Sequence, residues 1–188
     1  MKRQNVKKIA GGNSTTRRLP PEAFKSLIVK PNHFIRHATF HDLKDCELIA
    51  EQYPANGGTL EIDFSDPDVF LYVYESDGKI RGYVQVGIFE EDFYCIDDIV
   101  VDKSFAGNGV GSALINFLFD HDKHIFLYVY TKNHRARKLY EKLGFIKTCM
   151  VQRFYAPDRH AFKMVKPNDN VGWIDFDTFE PIEKPASS

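Results

Sequence analysis

Apolar positions along this chain change their period several times, and each change marks an element. Phe34-Ile35-Arg36 reads as a short strand. Thr39 and Asp42 follow at the spacing of a capping box, although such a box favours Glu or Gln at its second place. Leu43, Cys46, Ala50 and Tyr53 then recur at helical spacing. Residues 54–59 are a breaker containing Gly57-Gly58, and residues 60–67 have no clear period, which leaves room for a second helix. From Val69 the pattern becomes β-branched and aromatic. Residues 69–74, 80–89 and 93–101 read as three strands, joined by the hairpin signal Ser76-Asp77-Gly78 and the turn Glu90-Glu91-Asp92. This predicts an antiparallel meander. After Phe105-Ala106-Gly107-Asn108-Gly109-Val110-Gly111, the residues Val110, Ala113, Leu114, Phe117 and Leu118 make one helical face. Residues 125–130 read as a strand. Residues 133–143 read as a helix, with Ala136, Leu139, Tyr140 and Leu143 on one side and Gly144 placed as its cap. Two last strands, 145–151 and 161–165, flank the turn Ala156-Pro157-Asp158. The order predicts a mixed α/β domain over residues 32–167.

Composition narrows the class. The chain has 188 residues, 43% hydrophobic and 27% charged, with 16 Phe and 9 Tyr to fill a core. That suits one folded domain with extensions and excludes a disordered or fibrous chain. No apolar run approaches the roughly 18 residues of a membrane span. The first ten residues are basic without the apolar segment of a secretory leader. Three scattered cysteines suit a reducing cytosol, so a cytoplasmic protein is expected. A net charge of −1 gives no bulk attraction to nucleic acid. The charge is uneven, however. Lys2, Arg3, Lys7, Lys8, Arg17, Arg18, Lys25 and Lys30 crowd the start, and Asp169, Asp175, Asp177, Glu180 and Glu183 dominate the end. Residues 1–31 are thus expected to be a basic, flexible extension, with residues 23–29 helix or strand. Residues 168–188 are expected to be an acidic tail whose Trp173 and Phe176 can tuck against the domain. Cys46, Cys95 and Cys149 are far apart with no Cys-x-x-Cys pair, and the histidines show no His-Glu-x-x-His. No disulfide framework and no metal site is expected.

The glycine-rich turn carries the first chemistry. Glycines at alternate positions let backbone N–H groups approach a ligand, and the helix behind them adds unpaired N–H groups and its positive dipole end. The combination suits phosphate or pyrophosphate. A Walker loop is excluded because Gly111 is followed by Ser112-Ala113 with no Lys. A dinucleotide fold is disfavoured because the spacing is Gly-x-Gly-x-Gly and the preceding strand belongs to a meander.

Ile96-Asp97-Asp98-Ile99-Val100-Val101-Asp102, leading into Gly107-Asn108-Gly109-Val110-Gly111-Ser112-Ala113-Leu114, resembles the acyl-CoA motif of the GCN5-related N-acetyltransferases. Residues 133–145, from Asn133 through Tyr140 to Phe145, resemble the later motif of the same family, in the right order and separation. The resemblance spans roughly residues 33–166. It implies the acyl-CoA N-acyltransferase fold, a mixed, mostly antiparallel bent sheet with flanking helices, whose fourth and fifth strands splay to admit acetyl-CoA. It further implies that backbone N–H groups of Ala106, Gly107, Asn108, Gly109, Val110 and Gly111, with Ser112, hold the pyrophosphate. Ile99, Val100 and Val101 would pair with the pantetheine arm, and Asn133 and Ala136 would meet it from the other side. Ala106 departs from the family pattern, which has Arg or Gln there. Loss of a charged hydrogen bond, worth about 1.5–3 kcal/mol, is expected to weaken CoA binding unless Lys103, Arg137 or Lys142 replaces it.

The reaction implied is attack of a neutral primary amine on the thioester of acetyl-CoA. Tyr140 is the family's proton donor to the departing sulfur. With ordinary values near 10 for Tyr and near 8.5 for a thiol, full transfer is uphill by about 2 kcal/mol, so a hydrogen-bonding role is expected. Asp97 and Asp98 are adjacent on a strand and are expected to face opposite sides. By resemblance to polyamine-type members, Asp97 is a candidate base. The alternatives are that these acids orient a cationic acceptor, or that Asp98 pairs with Arg36 or Arg81. Other acids at Glu61, Asp63, Asp66, Asp68, Glu90, Glu91 and Asp92 read as attractors of a polycation or as solvated turns. The leading expectation is an acetyltransferase acting on a small cationic amine. A protein N-terminal or lysine acetyltransferase is the alternative, because Gln152-Arg153-Phe154-Tyr155 resembles a peptide-entry region, with Tyr155 a candidate substrate contact. A CoA-binding regulator is a third possibility. Docking of the basic arm on RNA or a ribosome is the lesser reading of that segment, and a homodimer is left open.

Overall fold

The computed structural model describes residues 33–54, 58–90, 92–176, 178, 181 and 182. The expectations for residues 1–31, for Gly57 and Glu91 and for most of the acidic end lie outside those residues. Seven strands form one sheet: β1 (His33–His37), β2 (Val69–Ser76), β3 (Lys79–Glu90), β4 (Phe93–Val101), β5 (His124–Tyr130), β6 (Ile146–Ala156) and β7 (Arg159–Lys166). Their order is β1-β2-β3-β4-β5-β7-β6, and every neighbouring pair is antiparallel except β4 and β5. A short pair, β8 (Trp173–Ile174) and β9 (Pro181–Ile182), lies outside this sheet.

Local signals explain much of this. Asp77 and Gly78 both take positive φ (51° and 71°), which gives the hairpin between β2 and β3 a turn whose twist matches its strands. The Asp42 carboxylate accepts the Thr39 N–H at 2.7 Å, and helix α1 (Leu43–Ala50) follows. Residues 60–67 hold no second helix: they run as turns stabilised by the Asp63 and Asp66 side chains. Helix α2 (Val110–Leu118) buries Val110, Leu114, Ile115 and Leu118. Ile115 lies outside the predicted face, which shows that α2 is covered over a wider arc than one stripe. Helix α3 (His134–Lys142) is capped by Asn133, whose side chain accepts the Ala136 N–H at 3.1 Å, and Gly144 (φ 87°) ends it.

Alternation along the strands divides the core. Tyr72, Val84, Val86, Tyr94, Ile96, Leu127 and Val129 turn to α2 and α3. Leu71, Val73, Tyr83 and Val100 turn to α1, where Cys46 and Ile49 meet them. Phe93, Phe126 and Val165 form a third cluster, with Cys95 and Tyr128, against which Phe176 packs. Phe176 is fastened there because its carbonyl accepts the ammonium of Lys163, which is 5% exposed. His124 holds the same segment by accepting the Asn168 N–H at 2.9 Å through Nδ1. Among the described residues no helix is long and apolar enough to cross a membrane.

Candidate active site

The site begins where two parallel strands stop pairing. β4 and β5 are in register from Phe93 opposite His124 to Ile96 opposite Leu127, and the ladder ends there. Beyond it a cavity of about 580 Å³ opens between residues 96–99 of β4 and residues 127–130 of β5. Asn133, Ala136 and Tyr140 of α3 line one side, and Tyr155 and Arg159 line another. Thr59 and Glu61 approach from the segment after α1. The Asp102 N–H bonds the Arg81 carbonyl, so by antiparallel alternation the Tyr83/Val100 pair also faces inward. The backbone groups of Ile99 and Val101 therefore face the gap, and those of Val100 do not. The Val101 carbonyl accepts the Tyr53 hydroxyl at 2.7 Å.

Asp97 and Asp98 do not face opposite sides. Gln85 is opposite Asp98 and Val86 is opposite Ile96, so Asp97 is the extra residue of a β-bulge. The bulge resets the alternation, and both carboxylates line the cavity. Asp98 accepts the hydroxyl of buried Tyr83 at 2.9 Å. It pairs with neither expected arginine: Arg36 holds Asp42 and Glu75, and Arg81 lies 3.7 Å from Asp102. Burial raises both carboxyls above the ordinary carboxylate range. Asp97 adds to the rise at Asp98, while the Tyr83 hydroxyl opposes it. Asp97 keeps an exposed edge, yet the protein crowding its other side outweighs the lowering effect of the nearby Cys95 thiol.

Tyr140 is 7% exposed and lies beside Phe145, with ring centroids 5.7 Å apart. Burial pushes its hydroxyl well above the ordinary range, and Tyr155 and Asp98 push it further. The group is thus held protonated, as a hydrogen-bond donor rather than an acid. Tyr155 reaches the cavity because β6 carries a large bulge. Val151 is opposite Ala161 and Ala156 opposite Arg159, so three more residues sit on β6 than on β7. Arg153 absorbs the distortion at φ 57°, a left-handed conformation that costs a non-glycine residue energy. The extra residues throw Phe154 onto the Tyr128 ring, stacked at 4.3 Å, and let the Tyr155 hydroxyl donate to the Tyr128 carbonyl at 2.8 Å. The Arg159 guanidinium lies over the Tyr130 ring at 4.8 Å.

The glycine turn sits outside the cavity lining, at the start of α2. Gly107 and Gly109 take φ 89° and 84°, and a β-carbon at either would meet nothing within 4 Å. These glycines serve the backbone path and leave open space above it. The Ala106 and Asn108 N–H groups are used inside the turn, on the Lys103 and Phe105 carbonyls, both at 3.2 Å. The first backbone bond into α2 is from Ala113 to the Gly109 carbonyl, so Val110, Gly111 and Ser112 present the free N–H groups of the helix start. The N–H groups of Gly107 and Gly109 are likewise not spent inside the turn, and the turn fits a phosphate group with these donors, fewer than the motif alone implies. The Val110 side chain is buried in the core. Of the expected substitute cations, Lys103 lies over the Tyr53 ring at 5.1 Å, while Arg137 is turned away to the Thr131 carbonyl at 3.0 Å.

Comparison with known proteins bears on this arrangement. A family model described as the acetyltransferase (GNAT) family matches residues 35–145. The chain belongs to this family. It is 30% identical over 111 residues to an N-acetyltransferase of Methanocaldococcus jannaschii, covering 56% of this chain and 70% of that one. It is 27% identical over 94 residues to the N-alpha-acetyltransferase 30 of Saccharomyces cerevisiae, covering 47% of each. In fold it is similar to the ribosomal-protein-S18-alanine N-acetyltransferase from Escherichia coli, with a TM-score of 0.59 at 19% identity over 75% of this chain and 99% of that one.

GNAT membership makes the chain an N-acetyltransferase, and the bent, mostly antiparallel sheet is the fold of that family. The matched stretch ends before β6 and β7. The cavity residues Tyr155 and Arg159 therefore come from outside the part that defines a GNAT domain here. Arg159 and Thr59 were not anticipated in the sequence, because Arg159 begins β7 ahead of the apolar run that marks the strand and Thr59 is a loop residue without periodicity. Of the acidic group at 61–68, Glu61 alone lines the cavity.

Proposed function

We propose that this GNAT enzyme transfers the acetyl group of acetyl-CoA to the primary amine of a small cationic acceptor, by direct attack in a ternary complex. One observation carries this reading: Asp97 and Asp98 lie together in the cavity, and neither pairs with a cation among the described residues. Two acids left without a counter-charge favour a ligand that brings one. Acetyl-CoA supplies the acetyl thioester. The free N–H groups of Val110, Gly111 and Ser112 would hold its phosphates, and the gap-facing backbone of Ile99 and Val101 would meet its pantetheine arm with Asn133 and Ala136 opposite.

The acceptor arrives as an ammonium and docks on the acids. Asp97 accepts its proton, directly or through one water, and its raised affinity for protons brings it closer to that task. The amine nitrogen then forms its bond to the acetyl carbon as the carbon–sulfur bond breaks, and the nitrogen's surplus proton passes to the departing thiolate, leaving the amide and CoA thiol. The Tyr140 hydroxyl donates a hydrogen bond to the departing sulfur. A second reading, transfer to a protein N-terminus or lysine, is favoured by one feature. Tyr155 lines the cavity at 46% exposure, and Phe154, 44% exposed, stacks on the cavity residue Tyr128, an aromatic platform suited to a peptide.

The test is release of CoA thiol from acetyl-CoA across polyamines, aminoglycosides, amino acids and short peptides. Thiol release with polyamines or aminoglycosides supports the first reading, and release with peptides alone selects the second. Acetyl-CoA binding without turnover on any of them would leave a CoA-binding regulator. The same proposal places the catalytic domain at residues 32–167 of a cytoplasmic protein.

A further inference from the structure

We propose that Gly87 is a positioning residue: the space left on β3 by its missing side chain is the seat of the Asp97 carboxylate. The inference rests on the proposed function for its effect on turnover, and on geometry alone for the seat itself. Asp97 is the unpaired residue of the β4 bulge, so the ladder with β3 does not fix its direction. Something must therefore support its side chain from below. A β-carbon built on Gly87 would stand 3.0 Å from Asp97 Oδ2 and 3.9 Å from its Cγ, and apart from Gly87 and its two chain neighbours no other atom comes within 4 Å. The carboxylate alone fills that space.

Glycine weakens the interior of a strand and marks a bulge or a close approach. Gly87 is not among the residues of positive φ, so its backbone conformation does not require glycine. It pairs with Cys95, whose thiol neighbours the same carboxylate. An alanine methyl here would meet the far end of a flexible side chain rather than backbone. The fold can then survive while the carboxylate swings out of its seat. Two features thus act together: the bulge brings Asp97 to the cavity face, and the bare α-carbon of Gly87 lets its oxygen lie down on the sheet.

Full-length Gly87→Ala, Asp97→Asn and the double variant test this. Carbon-13 NMR titration follows the Asp97 carboxyl, assigned by its loss in Asp97→Asn. In Gly87→Ala its midpoint moves down toward the ordinary aspartate range, because the displaced group gains solvent. An unchanged midpoint overturns the seat. In turnover, Gly87→Ala lowers kcat by up to about tenfold with the KM for acetyl-CoA unchanged, because a shift of the carboxylate moves the base off its line to the acceptor. The acid limb of the pH profile moves to lower pH. Adding Gly87→Ala to Asp97→Asn changes kcat no further. Equal losses in both backgrounds overturn the proposal. Normal turnover by Asp97→Asn alone would instead remove Asp97 from the chemistry and leave the titration to decide the seat. Should Gly87→Ala fail to fold, folding regained in Gly87→Ala/Asp97→Ala supports the seat, and continued failure overturns it.

Discussion

Two groups of carboxylates share this sheet under opposite conditions. Near its β1 edge, Asp42 accepts from both terminal guanidinium nitrogens of Arg36, at 2.7 and 2.8 Å, and Glu75 shares the same Arg36. The Thr39 hydroxyl adds a further bond at 2.8 Å. These donors, Arg36 first, hold the Asp42 carboxyl well below the usual range despite its burial. At the splayed strands Asp97 and Asp98 pair with no cation among the described residues and are pushed the other way. The difference separates two uses of the same chemical group. A lowered carboxyl contributes stability that is present above its unfolded value, near 3.9, and is lost as pH falls through the folded one. A raised carboxyl contributes stability below the unfolded value and loses it as pH rises through the folded one. At neutral pH the first group therefore supports the fold, and the second opposes it.

The contrast gives a graded set of tests. Asp97→Asn should lower kcat by about 10²- to 10⁴-fold, the range of general base catalysis, and abolish the acid limb of the pH–rate profile. Steady-state rates from pH 5 to 9 would show it, and a retained limb would assign the limb to another group. Tyr140→Phe should lower kcat on the order of 10²-fold while calorimetry finds acetyl-CoA affinity unchanged. Equal losses in rate and affinity would make Tyr140 a packing residue. Asp42→Ala should reduce unfolding free energy by about 1–3 kcal/mol in urea at pH 7, since it strips charged hydrogen bonds from Arg36. Its deficit should shrink as pH falls into the acid range; a constant deficit would refute the pairing as its cause. The smallest effect sharpens the comparison most. Asp97→Asn and Asp98→Asn should unfold at the same urea concentration as the parent or a higher one at pH 8. Destabilisation by either would mean that these acids hold the fold after all.

Much of the scaffold was legible because it rests on local rules. Alternating runs gave the meander, Asp77-Gly78 its hairpin, and glycine followed by an apolar stripe gave α2. The bulge at Asp97 was missed, although a signal was present. Tyr94 and Ile96 are two apart, as are Ile99 and Val101, but Ile96 and Ile99 are three apart, so one residue is extra. Reading the acids as simple neighbours on a strand gave them opposite faces. Phe154 and Tyr155 show the same limit. Nothing local dictates the three-residue excess on β6, which is defined only against β7. These two aromatic residues were thus named without their geometry. Ala106 illustrates the reverse: the motif identifies a missing cation, but the turn's internal hydrogen bonds decide which donors remain.

The short parallel pairing between β4 and β5 has a consequence for hydrogen exchange. The Val101 amide proton faces the gap, whereas that of Val100 is shared with β3 and that of Ile99 is held by the Asp98 carboxylate. In the free protein deuterium uptake should therefore be fast at Val101 and slow at the neighbouring Val100. A ligand bearing amides of its own would slow the fast position by acting as a temporary strand. Its binding would then be read as folding energy, roughly 2.7 kcal/mol at a hundred times its Kd. The melting temperature of this protein would follow the concentration of the molecule lodged between its strands.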